Sequence, residues 1–140
     1  MKASEIMTKN PRVVTPETTV QEAARLMQRE DTGVLPVVES EQSRRLLGVV
    51  TDRDITLRVV AEGKTSASVR EAMSSGVKTC RPDDDVKDVM DAMAKEQVRR
   101  IPIVDDQGAV VGIVAQADVV LQAKDDKRAE RTIEEISKPS

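Results

Sequence analysis

The chain has no Phe, Tyr, Trp or His among its 140 residues. Each absence excludes a class of function. Without aromatic rings, no base can stack on an aromatic side chain, which removes the usual mode of single-stranded RNA readout. Without histidine, the commonest general base and the commonest zinc ligand are both missing. Neither a Ser-His-Asp nor a Cys-His catalytic set can be assembled. Cysteine occurs once, at Cys80. No internal disulfide can form, which fits a reducing compartment. No apolar run reaches the roughly 18 residues of a membrane span. Met1–Met7 lacks the apolar stretch of a secretory leader, so a cytoplasmic location is expected. The glycines are Gly33, Gly48, Gly63, Gly76, Gly108 and Gly112, and none falls in a G-x-x-x-x-G-K or G-x-G-x-x-G phosphate loop. The net charge of −3 comes from interspersed charges of both signs. That argues against the concentrated basic face that nucleic-acid binding needs.

What the chain does have is a repeat. Met7, Pro16, Val20, Met27, Pro36 and Val38 recur as Met73, Pro82, Val86, Met93, Pro102 and Val104, each 66 residues on (73 − 7, 102 − 36). Beyond that point the offset falls to 64: Gly48 answers Gly112, and Asp54 answers Asp118. The two extra residues lie in the polar stretch Glu39–Arg45, where a loop absorbs them. Two copies, each too small to be robust alone, imply two halves packed face to face. A cleft between such halves is a natural ligand site.

Each copy reads as strand, helix, strand, strand, helix. The first strand is expected at Arg12–Thr15. A helix then starts at Thr19, which forms a capping box with Glu22. Its apolar stripe is Val20, Ala23, Ala24 and Met27, matched in the second copy by Val86, Val89, Met90 and Met93 behind the cap Asp85. Strands are expected at Val34–Val38 and Leu46–Val50, and again at Ile101–Val104 and Val110–Val114. The second pair is joined by the turn Asp105–Gly108. Second helices start near Asp52 and Gln116. Gly63 ends the first of them. Ser68 with Glu71 opens a short helix before Met73, and Ser4 opens its counterpart before Met7. The expected division is 1–64, 65–122 and a charged helical tail at 123–140. The tail reads either as a solvated helix end or as a docking segment.

Specific residues sit on this frame. The first copy carries Gly33-Val34-Leu35-Pro36-Val37-Val38 and Gly48-Val49-Val50-Thr51-Asp52-Arg53-Asp54-Ile55. The second carries Arg99-Arg100-Ile101-Pro102-Ile103-Val104-Asp105 and Gly112-Ile113-Val114-Ala115-Gln116-Ala117-Asp118-Val119. Both resemble the CBS domain, and two in tandem resemble a Bateman module. The resemblance covers roughly residues 4–122. It implies an α/β (α+β) fold of two pseudo-twofold related half-domains with their sheets packed together. It also implies two clefts for adenosine-containing ligands: AMP, ADP or ATP ahead of S-adenosylmethionine or NAD. It further implies a homodimer formed through the helices and a regulatory role without catalysis. With no second domain in the sequence, output is expected to pass to an unknown effector protein in trans.

In the family, the Asp of a T/S-x-x-D motif accepts hydrogen bonds from ribose hydroxyls, as a carboxylate can. The Thr hydroxyl and the unpaired N–H groups of the helix start help hold phosphate, and cations from the facing half neutralise it. Carried onto this chain, the first cleft comprises Val49, Thr51, Asp54, Lys78, Val98 and Arg99. The second comprises Arg12, Thr32, Gly33, Arg100, Ile113 and Asp118. Ala115 stands there in place of the expected hydroxyl, so the second cleft is expected to bind more weakly or stay empty.

The same residues have plainer readings. Thr51 to Asp54 is also a helix cap, and an acid in a first helical turn is stabilising by about 0.3–1 kcal/mol without a ligand. Asp83-Asp84-Asp85 reads as turn and capping chemistry ahead of a metal site. Cys80 reads as a small apolar core residue. Lys78, Arg99 and Arg100 also fit as solvated cations. The alternative function is therefore a ligand-free dimeric module for protein–protein interaction. No cofactor, nucleic acid or membrane is implied.

Overall fold

A computed structural model describes residues 1–64 and 66–122. The expected tail at 123–140 lies outside the described residues. In chain order the elements are α1 (Ala3–Ile6), β1 (Thr8–Lys9), α2 (Val20–Glu30), β2 (Val34–Val38), β3 (Leu46–Thr51) and α3 (Asp52–Ile55), which continues as a π-helical turn, Thr56–Val60. Then come α4 (Val69–Ala72), β4 (Ser74–Ser75), α5 (Val86–Glu96), β5 (Arg100–Val104), β6 (Val110–Ala115) and a helix over 116–122, α6.

The strands form two three-stranded antiparallel sheets, in the orders β2-β3-β4 and β1-β6-β5. The sheets cross the boundary between the sequence repeats. The N-terminal β1 completes the sheet of the second repeat, and β4, from the second repeat, completes the sheet of the first. Backbone bonds reinforce both crossings in matching fashion. Val69 and Arg70 N–H donate to Thr18 and Pro16 carbonyls, as Ala3 and Ser4 donate to Asp84 and Pro82.

The crossings explain two repeated residue types. Gly48 on β3 faces β4, and a Cβ there would lie 2.1 Å from the Ser74 carbonyl oxygen. Gly112 on β6 faces β1, and its Cβ would lie 2.3 Å from Met7 Sδ and 3.0 Å from the Thr8 carbonyl oxygen. Only glycine leaves the backbones room to approach this closely. Met7 and Met73 pack onto the cores beside these glycines.

Helix α2 starts at the expected cap, with Thr19 Oγ1 accepting from Glu22 N–H at 3.1 Å, but the return bond from Thr19 N–H to the Glu22 side chain that would complete a capping box is not formed. Asp85 caps α5 by accepting from Lys87 N–H at 2.9 Å. The buried stripes are narrower than the 3.6-residue pattern suggested. Val20, Ala23 and Met27 are buried, but Ala24 is exposed, and Leu26 packs in its place. In α5, Val89 and Met93 are buried, while Met90 is 46% exposed and Ala92 packs instead. Each helix is rotated toward the third and sixth residues after its first apolar position.

Three further expectations need correction. Arg12–Thr15 is not a strand; Val14 alone bridges Val37 in parallel, and Cys80 bridges Ile103 likewise. Prolines at 11, 16 and 82 flank these runs and cannot donate to a ladder. Helix α1 opens at Lys2, whose N–H donates to Glu5 Oε2 at 2.6 Å, two residues earlier than a Ser4 cap would place it. The Glu39–Arg45 stretch is more than slack. Arg44 takes a left-handed conformation (φ 54°) and clasps the second repeat. Its carbonyl accepts from Val110 N–H at 2.8 Å, and its guanidinium donates to the Pro11 and Val110 carbonyls.

The core is aliphatic. One cluster underlies each sheet, and a third, of Val38, Val104 and Val110, joins the halves. Among the described residues no polar or charged side chain is buried. Cys80 belongs to the second cluster. Burial pushes its thiol above the ordinary value, with the Asp84 charge adding to the shift, so it behaves as a packed apolar group.

Candidate functional site

The largest cavity described, about 740 Å³, lies between the repeats. Its size is that of a typical small-molecule site. One wall is the end of β3 with the start of α3, contributing Val49, Thr51 and Asp54. A second wall is the segment that follows β4, ending at Lys78. The third is the turn from α5 into β5, contributing Val98 and Arg99. Every residue assigned to the first cleft from the sequence therefore lines this one cavity. The α5 turn is local chemistry: Gln97 closes the helix in a left-handed conformation (φ 56°), and Val98 N–H donates to the Met93 carbonyl at 3.0 Å. This turn sets Val98, Arg99 and Arg100 on the cavity wall.

The floor differs from the expected phosphate cradle. Thr51 and Asp54 form a reciprocal capping box: Asp54 N–H donates to Thr51 Oγ1 at 3.0 Å, and Thr51 N–H donates to Asp54 Oδ2 at 3.1 Å. Asp52 N–H donates to the Gly33 carbonyl at 3.0 Å, and Arg53 N–H to Asp52 Oδ1 at 2.8 Å. The amides at the start of α3 are thus spoken for within the chain, contrary to the expectation of unpaired donors. Thr51 retains its hydroxyl proton as a donor. Asp54 stays available as an acceptor through Oδ1, which faces Arg58 at 3.8 Å.

The cations supply what the floor does not. Arg53, Lys78, Arg99 and Arg100 all line the cavity, and none forms an ion pair among the described residues. Unpaired cations on an open cleft attract a multiply charged anion.

The residues assigned to the second cleft are not gathered in the same way. Arg12, Thr32 and Ile113 line a cavity of about 240 Å³. Arg12 Nε is held by Glu30 Oε1 at 3.2 Å. Gly33 and Arg100 instead line the 740 Å³ cavity, together with a groove of about 470 Å³ beside α2 and α3. Asp118 lines none of these three; its Oδ2 accepts from Ala115 N–H at 3.1 Å. Ile113 and Val34 border both interior cavities. The acidic run is turn and capping chemistry: Asp84 Oδ2 accepts from Arg81 N–H at 2.8 Å, and Asp83 sits 3.4 Å from Lys2 Nζ.

Sequence reasoning missed Arg53, and it assigned Arg100 to the opposite cleft. Alternation along a strand would turn Arg100 away from Arg99, so the sequence carries no signal that both line one cavity. Among the described residues no helix is long and apolar enough to cross a membrane.

Comparison with known proteins agrees with this fold. The family model of the CBS domain matches residues 3–61 and 69–124. The CBS domain-containing protein YhcV of Bacillus subtilis is 39% identical over 132 residues, covering 94% of this chain and 91% of that protein. Two solved structures share the fold. The CBS domain pair of protein MJ0100, in complex with 5′-methylthioadenosine and S-adenosyl-L-methionine, has a TM-score of 0.80 at 28% identity and covers 90% of this chain and 98% of that one. CBSX2, in complex with AMP, has a TM-score of 0.79 at 28% identity, with the same coverage. With two matched repeats, two interlocked three-stranded sheets and a cleft between them, the chain belongs to the CBS-domain family as a tandem CBS pair.

Proposed function

We propose that this protein is a regulatory sensor that binds an adenine nucleotide in the 740 Å³ cleft and signals to a partner protein without catalysis. The observation that carries the reading is the convergence of Thr51 and Asp54 with unpaired Lys78 and Arg99 on one cavity. Asp54 accepts from the ribose hydroxyls, Val49 and Val98 flank the base, and the cations neutralise the phosphates. The complexes of two structural relatives with AMP and with S-adenosyl-L-methionine support the ligand class. AMP or ATP suits the cationic wall better than an uncharged or cationic adenosine derivative.

A ligand held by both repeats favours one angle between them. It shifts that equilibrium only by its difference in affinity for the two states. The change reaches a partner through the helices. Leu57, Val60, Val120 and Leu121 are exposed large apolar residues on the π-helical turn and α6, and they suit a homodimer interface.

A second reading has its own support. The Thr51–Asp54 capping box is complete without a ligand, which is compatible with a ligand-free interaction module. The two readings separate in a thermal melt. A nucleotide at 100 times its Kd stabilises the fold by about 2.7 kcal/mol, whereas the ligand-free module gives no shift. The absence of Phe, Tyr and Trp adds a simple check. A 260 nm band in a nucleic-acid-free preparation reports a co-purified base.

A further inference from the structure

Arg58 lies one helical turn beyond Asp54, and its surroundings set it apart from the other arginines. Its Nη1 donates to the Ala72 carbonyl at 2.8 Å, the Met73 carbonyl at 3.2 Å and Ser74 Oγ at 3.1 Å. The same Nη1 lies 3.8 Å from Asp54 Oδ1. The Asp54 side chain is only 17% exposed, and its other oxygen accepts from Thr51 N–H, which leaves Oδ1 turned toward the Arg58 guanidinium as a charge contact.

Two independent features single out this arrangement. The helix departs from α geometry and widens into a π turn over Thr56–Val60, the residues that carry Arg58. Such turns occur often at functional sites. The repeat is also broken here: 64 residues after Asp54 and Arg58 stand Asp118 and Gln122, so only the first-cleft carboxylate has a guanidinium four positions on. The groups that Arg58 joins are informative too. Ala72, Met73 and Ser74 lead directly into the strand and turn that end at Lys78 on the cleft wall.

We propose that Arg58 is a positioning residue for sugar recognition. It aims the Asp54 carboxylate at the ribose diol and ties it to the segment carrying Lys78, so that the sugar and phosphate subsites keep a fixed spacing. This inference rests on the nucleotide reading above.

The test is calorimetric titration of AMP and ATP, and of their 2′-deoxy counterparts, into the wild type, Arg58→Gln and Arg58→Lys. The wild type prefers the ribonucleotide by about tenfold or more, the scale of a hydrogen bond to a charged group. In Arg58→Gln that preference falls by at least about threefold, while affinity for the deoxynucleotide changes little. Arg58→Lys keeps the charge but loses the guanidinium fork, so its preference lies between the two, at least about twofold below wild type. If Arg58→Gln does not fold, Arg58→Lys carries the test alone. Equal weakening of ribo- and deoxynucleotide, or an unchanged preference in Arg58→Lys, overturns the inference and leaves the nucleotide reading standing. No binding of any of these nucleotides to the wild type overturns both.

Discussion

The two clefts descend from the same sequence motif and have diverged in their cations. In the first, Lys78 faces an open cavity of about 740 Å³ with no carboxylate partner among the described residues. In the second, the matching Arg12 (78 − 66) is closed onto Glu30 beside a cavity of about 240 Å³. The acid at the helix start is retained in both and accepts the same backbone N–H in both. That shared bond is architectural. An acid at this position therefore does not identify a binding site by itself; the two clefts differ instead in the cations around it.

The largest expected contrast between the halves is in stability. Gly48→Ala drives a Cβ into a backbone carbonyl and costs about 3 kcal/mol, at the upper end for overpacking. Gly112→Ala first meets the flexible Met7 side chain and costs about 1 kcal/mol. Urea unfolding of the two variants measures the difference, and equal costs would mean that the two strand crossings are equally rigid. Next comes charge. Lys78→Ala is expected to weaken AMP or ATP about tenfold, whereas Arg12→Ala leaves the affinity within about twofold, since its charge is already neutralised. Calorimetry at fixed salt gives both numbers. The smallest effect is a gain. Glu30→Gln releases Arg12 and is expected to add a weak second binding event. Stability changes by less than about 1 kcal/mol, because the broken pair is exposed.

Much of this was legible in the sequence, for identifiable reasons. The 66-residue repeat announced two halves, and short continuous apolar runs located β2, β3, β5 and β6 to within a residue. Capping residues fixed the starts of α2 and α5 because a cap is a local hydrogen bond. The strand crossings were not legible, since β1 and β4 are two residues each, too short for any periodicity. Their trace was indirect: Met7 with Gly112, and Met73 with Gly48, each pair brought together only in three dimensions. Rotation of the helices defeated the assignment of Ala24 and Met90 to the core, because a four-residue apolar set leaves the facing direction undetermined by one position. At the site, Val49, Thr51, Asp54, Lys78, Val98 and Arg99 were legible as a group through the motif and the repeat offset. Arg100 and Gly33 were not, because a residue at the start of a strand faces one cleft or the other according to strand register. Arg58 was invisible for a similar reason. Its partners lie 14–16 residues away, across the linker between the repeats.

The most direct test of unequal clefts is the stoichiometry of AMP or ATP binding in the wild type, Asp54→Asn and Asp118→Asn. The expected result is one tight site per chain, weakened about tenfold or more by Asp54→Asn and unchanged within about twofold by Asp118→Asn. Two equivalent sites in the wild type, or a greater loss from Asp118→Asn than from Asp54→Asn, would contradict the assignment of the first cleft as the working site.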